Sequence, residues 1–192
     1  MKDGKVMVRK LDKILVVDVE ATCWEGDPPE GEASEIIEIG LCILDVASGA
    51  RSTPRAIMVK PQHSTVSDYC TQLTTITPEM VAGGLSFPEA CRLLSEEYDS
   101  QQRTWASYGD YDRLQFLKQC EESDIAYPFG RSHINVKNLL ALQFGLKKEI
   151  GLRRGASLVG LTFEGTLHRG FDDAWNIAAV LERVLLRRDR QA

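Results

Sequence analysis

The run ILVVDVEATCW, residues 14–24, constrains this chain more than any other stretch. Its opening residues are apolar and largely β-branched, which reads as a buried strand. Yet it closes on two acids, Asp18 and Glu20, and then on a large aromatic, Trp24. Side chains two apart on a strand share a face, so the two carboxylates stand side by side at the end of an apolar element. Like charges repel there. A cation, a basic partner or solvent must offset the cost.

Two more runs resemble strands. Residues 35–44, EIIEIGLCIL, alternate Ile37, Ile39, Leu41 and Ile43 with Glu38 and Gly40, as a strand with one exposed edge or face would. Residues 56–60, AIMVK, are stopped by Pro61. EGDPPEGEAS, between the first two runs, is polar and rich in Pro and Gly and reads as a loop. Helical punctuation follows: Thr77 before Pro78, then Ser86 capping a segment in which Ala90, Leu93, Leu94 and Glu97 step at helical spacing. TWASYG, residues 104–109, reads as a short strand, and DYDRLQFLKQCEES as the helix after it. NVKNLLALQFGL and SLVGLTFEG predict two short helices, and FDDAWNIAAVLERVLLRRDR a long amphipathic one. Strands first and helices interleaved later give an α/β or α+β domain with a mixed sheet. A chain of 192 residues suits one such domain, spanning residues 1–192.

Composition narrows the function classes. The chain is 43% apolar and 27% charged, has no run long enough to span a membrane, and shows no secretory h-region near its start. Five scattered cysteines without a C-x-x-C pair argue against structural zinc or a disulfide framework and point to a reducing, cytoplasmic setting. Proteins that grip nucleic acid through phosphate neutralisation are usually basic, whereas the net charge here is −5. Any such grip must be local or borrow charge from a metal.

Other acids lie far along the chain: Asp110 and Asp112 in SYGDYD, and Asp172 and Asp173 with His168 in HRGFDDAWN. From Asp173, helical spacing runs through Ile177, Val180, Leu181 and Val184, an apolar stripe that faces a core. From Asp172 it runs through Asn176, Ala179, Arg183 and Arg187, a mostly polar stripe that faces water, so Asp172 reads as a first-turn acid favoured by the helix dipole. An unpaired charge on the inward stripe is costly, so Asp173 needs a partner. Asp18, Glu20 and Asp173, with a fourth acid at 110 or 112, could hold two divalent cations such as Mg²⁺, which clamp the oxygens of a phosphoryl transfer. His168, five residues before Asp173 in a Gly-containing loop, could serve as general base.

DVEAT, SYGDYDRLQFL and HRGFDDAWNIA resemble, in order and spacing, the three motifs of the DEDDh 3′–5′ exonucleases, the DnaQ-like branch of the RNase H-like fold. DVEATCWEGDPPEGEASEIIEIG and DYCTQLTTIT narrow the likeness to the Eri-type, histone-mRNA 3′ exonuclease-like subfamily, from about residue 14 to 186. The resemblance implies an α/β, RNase H-like fold with a mixed central sheet flanked by helices. It makes Asp18, Glu20, Asp112 and Asp173 ligands of two divalent cations, Mg²⁺ or Mn²⁺, and His168 the base. Asp112 is chosen over Asp110 on the resemblance alone, because the family's acid follows an aromatic, here Tyr111; Asp110 then reads as a helix-start acid. The backbone of Val19 and Ala21 and the side chain of Thr22 are expected at the 3′-terminal sugar. Tyr111 is expected beside the terminal nucleotide, with Leu73 or Ile76 as a base wedge, and Trp24 reads either as packing on the last base or as an ordinary half-buried core aromatic. Thr75 departs from the family's glycine, which puts close backbone approach there in doubt.

The implied partner is nucleic acid with a free 3′ end, RNA rather than single-stranded DNA, and no membrane. Lys147, Lys148, Arg153 and Arg154 read either as steering groups for a phosphate backbone or as solvated surface; Arg183 to Arg190, His63 and His133 read as surface or structural. Two other functions compete: a binding module that has lost catalysis, acting through an RNA or protein partner, and a two-metal phosphodiesterase specific for nucleotides, dinucleotides or short oligonucleotides. The first usually lacks one of the five motif residues, all of which are present here.

Overall fold

In the computed structural model, which describes residues 10–185, the opening run becomes the middle of a five-stranded sheet. β1 (Lys10–Ala21) pairs antiparallel with β2 (Ile36–Asp45), which pairs antiparallel with β3 (Arg51–Met58). On its other side β1 runs parallel to β4 (Arg103–Ser107), and β4 runs parallel to the short β5 (His133–Asn135). The order β3-β2-β1-β4-β5 puts β1 in the centre of a mixed sheet. Parallel neighbours need crossovers, and helices supply them on both faces.

Alternation then sorts β1. Leu15, Val17 and Val19 join Ile39, Leu41 and Trp105 in a core shared with α3 (Phe87–Tyr98) and α4 (Tyr111–Glu122). Ile14 and Val16 join Cys42, Leu44 and Ala106 in a second core under α5 (Val136–Gln143), α6 (Leu152–Leu158) and α7 (Gly170–Leu185). Asp18 and Glu20 have the parity of this second face. A third cluster, with Ile37, Cys70 and Ile76, packs α1 (Asp68–Thr74) and α2 (Pro78–Ala82) beside β2.

The mixed sheet flanked by helices is as expected from the sequence. So are the caps: Ser86 forms a full capping box with Glu89, and Thr77 accepts from the Met80 N–H with Pro78 at the first turn. Four readings change. β2 has no exposed face, because Ile36 to Cys42 are all buried. α1 and β5 were not foreseen. The helix expected over 157–165 lies earlier, at Leu152–Leu158, and residues 159–169 form an irregular segment. The end of the last predicted helix, 186–190, lies outside the described residues; Arg183 is exposed. Among the described residues no helix is long and apolar enough to cross a membrane.

One close approach positions the site. Gly40 of β2 meets Gly170 so tightly that a Cβ on Gly40 would overlap the Gly170 backbone. Two glycines therefore let the first turn of α7 lie directly on the sheet beside β1.

Candidate active site

β1–β4 pairing ends at Val16, opposite Ala106, so the backbone N–H of Val19 has lost its strand partner. Asp112, in the first turn of α4, fills that place: its Oδ1 accepts from Val19 N at 2.9 Å. An unpaired buried N–H is costly, so this bond ties α4 to the end of β1. On the other side α7 arrives over Gly40, and Asp173 in its first turn accepts from the His168 backbone N–H at 2.8 Å through Oδ2. His168 takes a left-handed φ of 62° to make that bond and points its exposed ring to the same opening.

Four carboxylates thus converge from three elements on a cleft of about 390 Å³, whose walls include Tyr108, Tyr111, Leu152, Arg153, Arg154, Leu167 and His168. Their state is unusual. Among the described residues neither Asp18 nor Glu20 accepts a side-chain hydrogen bond or forms an ion pair, and Oδ1 of Asp173 is buried with no partner. Burial, then the charges of Asp173, Glu38 and Asp112, pushes Glu20 up to about 8. Burial takes Asp173 up to about 7 against the pull of the His168 N–H, and Asp112 to about 6 against that of Val19. Asp18 is held well above the usual carboxylate range by burial and by Asp112, Asp173 and Glu20. Partial burial, then the charge of Arg153, lowers the pKa of His168.

Such a cluster is short of positive charge, and the residues fit hard divalent cations. Carboxylate oxygens are the preferred donors, the orphaned Asp173 Oδ1 is available, and donor atoms of Glu20, His168 and Asp173 lie within 4.8 Å of one another. A larger hollow of about 750 Å³ near Gln62, His63 and Phe87 offers nothing comparable. Its buried acid, Glu35, already accepts from the backbone N–H groups of Gln62, His63 and Ser64.

Residues 15–181 match the RNase T family, described as exonuclease. The chain belongs to that exonuclease family. Human 3′–5′ exoribonuclease 1 is 30% identical over 195 residues, covering 96% of this chain and 56% of that protein, so the chain spans little more than half of this relative. The nuclease domain of 3′hExo, a DEDDh family member bound to rAMP, superposes with a TM-score of 0.80 at 27% identity, over 91% of this chain and 92% of that one. A 3′-exonuclease solved for 3′-end specific recognition of histone mRNA stem-loop gives a TM-score of 0.82 at 28% identity, over 96% of this chain and 67% of the other. The fold is thus RNase H-like, and the DEDDh resemblance holds.

The expected residues divide by position. Asp18, Glu20, Asp112, His168 and Asp173 meet in the cleft, with Val19 and the exposed Tyr111 on its wall. Asp110 is exposed and bound to Arg113 and Asn135. Thr22 is fully buried, its hydroxyl spent on Ala33 O and Glu35 N, so its side chain braces the β1–β2 loop instead of reaching a sugar. Ala21 is buried too, its carbonyl accepting from Cys70. Ile76 is buried in the third cluster, which leaves Leu73 as the exposed member of the wedge pair. Trp24 is half-buried where the β1–β2 loop begins. Asp172's stripe does not face water: Asn176 and Ala179 are buried, and Asp172 accepts from Thr166 N, because residues 163–168 fold over that side of α7. His63 is exposed, and His133 is half-buried in β5 against Trp105 and Ser107.

Two contributors escaped the sequence reading. Glu38, opposite Glu20 in register, is wholly buried and accepts from Arg169 and from Gly170 N. Arg169 also reaches Thr75 Oγ1 at 3.4 Å. Thr75, standing where glycine was expected, holds a left-handed φ of 62° as the C-cap of α1. The signal for Glu38 was its acid within EIIEIG, which an exposed face explained away.

Proposed function

We propose that the chain is a metal-dependent 3′–5′ exonuclease that acts on RNA in preference to single-stranded DNA and releases nucleoside 5′-monophosphates. The observation that carries this is the cluster of Asp18, Glu20, Asp112 and Asp173, unneutralised by the protein and open to the exposed His168 in one cleft. RNA is favoured by the names of the relatives, an exoribonuclease and a 3′-exonuclease of histone mRNA.

In this reading the four acids hold two divalent cations, Mg²⁺ or Mn²⁺, which when bound supply charge for the attacking and leaving oxygens. Asp112 is fixed by the Val19 N–H, and Asp173 is fixed by the His168 N–H with its Oδ1 left without a partner. His168, whose pKa is lowered, is neutral near pH 7 and takes a proton from the attacking water. The water oxygen joins the terminal phosphorus as the P–O3′ bond breaks. The mononucleotide leaves with its 5′-phosphate, and the shortened strand keeps a 3′-hydroxyl. Tyr111 and Leu73, both exposed, would offer surfaces to the terminal nucleotide, and the half-buried Trp24 a ring face for its base. The five cysteines, all unbridged, favour a reducing compartment such as the cytoplasm.

The test is a length series of 5′-labelled RNA and matched DNA with Mg²⁺, Mn²⁺ or EDTA. A ladder that shortens from the 3′ end, faster on RNA and silent in EDTA, is expected. Cleavage of dinucleotides alone would replace this reading with a dinucleotide phosphodiesterase. No cleavage at any length would leave a binding module.

A further inference from the structure

The cleft does not end at its acids. Arg153 and Arg154 of α6 form part of its wall, and the same two arginines line a second hollow of about 500 Å³ bounded by Leu146, Ile150, Ser157 and Leu158. The two hollows share these two residues.

Charge is distributed in a telling way around them. Arg51, Arg55, Arg103, Arg113 and Arg169 each pair with an acid. Lys147, Lys148, Arg153 and Arg154 pair with none among the described residues, as do Lys13, Lys60, Arg92 and Arg131 scattered elsewhere, and the neighbouring Glu149 is taken by Lys137. In a chain of net charge −5, four unneutralised cations thus gather on one segment beside the acid cleft. Arg153 lies 5.4 Å over the Phe163 ring, which steadies the side chain and leaves its N–H edge available. A guanidinium presents paired donors that match phosphate oxygens, and the leucines and Ile150 offer apolar surface to bases without reading sequence.

We infer that this second hollow is the track of the nucleic-acid strand on the 5′ side of the reacting nucleotide, with Arg153 and Arg154 holding the phosphates that precede the scissile one. The inference rests on the exonuclease reading and adds to it a basis for preferring longer strands over dinucleotides. Continuity with the acid cleft and complementary charge commit the hollow to this occupant. Lys147 and Lys148, both exposed, extend the field at its far side.

The experiment compares wild type, Arg153→Gln/Arg154→Gln and Arg153→Lys/Arg154→Lys on 5′-labelled RNA of increasing length across a salt series. On a single strand, every phosphate that the protein neutralises adds about 0.7 to the slope of log affinity against log salt, so the Gln pair should flatten it by about 1.4. Its KM on long strands should rise about tenfold at low salt. The Lys pair, which keeps the charge, should retain most of the slope. Lys118→Gln, which removes an exposed charge two turns along α4 from Tyr111, where Lys118 pairs with Glu122, should behave as wild type. Unchanged KM and slope in the Gln pair, with wild type active, would overturn the track while sparing the exonuclease reading. An inactive wild type would overturn the exonuclease reading itself.

Discussion

Glu20 and Glu38 face each other across β1 and β2, both almost wholly buried, and the protein treats them in opposite ways. Glu38 is answered by the Arg169 guanidinium at 3.3 Å and the Gly170 N–H at 3.0 Å. Glu35, a few residues earlier, is answered by three backbone N–H groups. Both acids build structure: one seats the start of α7 on the sheet, the other ties the β3–α1 segment to the β1–β2 loop. Glu20 receives no such answer, and neither do Asp18 and the buried Oδ1 of Asp173. A buried acid whose oxygens are satisfied by its own chain belongs to the scaffold. A buried acid left short, beside others left short, marks a place kept for something positive.

The largest test of that contrast is chemical. Asp173→Asn and Glu20→Gln should each lower exonuclease turnover on 5′-labelled RNA by about 10³-fold or more, on the scale of losing one group that stabilises transition-state charge. Neither should lower the melting temperature measured in EDTA, since each removes repulsion. Near-wild-type turnover by Asp173→Asn would remove the acid cluster from the mechanism.

The next test runs the other way. Breaking a buried ion pair costs about 3 kcal/mol, so Glu38→Gln should destabilise the fold by roughly that amount in urea unfolding. Glu35→Gln should cost about 1–3 kcal/mol by weakening its hold on three N–H groups, with kcat retained. Were Glu38→Gln to leave stability intact and abolish turnover as Glu20→Gln does, the two acids would belong to one site.

The motif acids were legible because they obey local geometry. Period two put Asp18 and Glu20 on one face, and period 3.6 put Asp173 inward with Ile177 and Val184. Asp112 was legible only through family likeness, since what distinguishes it from Asp110 is the stranded N–H of Val19, a consequence of strands diverging after Val16. Contacts made by distant segments were hidden. Glu38 looked solvent-facing because nothing in EIIEIG announces that Gly40 admits α7 against the sheet. Thr22 looked like a substrate group, yet its hydroxyl closes a loop through Ala33 and Glu35. β5 is only His133–Asn135, too short to show a period, and α6 was displaced because its small-residue stripe, Gly155 and Ala156, gives little amphipathic signal.

The central claim, that the unanswered acids are a cation site, is tested most directly by melting wild type with and without Mg²⁺ or Mn²⁺ at pH 5.5 and pH 8. Glu20, Asp173 and Asp112, with folded values near 8, 7 and 6, hold protons that the unfolded chain has released above about pH 4.5. Native protein then binds more protons than unfolded protein, so these groups lower stability as pH rises through that window. His133 and His168, with lowered values, act in the opposite sense, which makes the cation-minus-EDTA difference the proper readout. A cation that replaces those protons binds more tightly as the acids ionise. The difference should be small at pH 5.5, amount to several degrees at pH 8 (about 3 °C per kcal/mol in a chain of this size), and shrink in Asp173→Asn. Equal melting with and without cation at pH 8 would contradict the account.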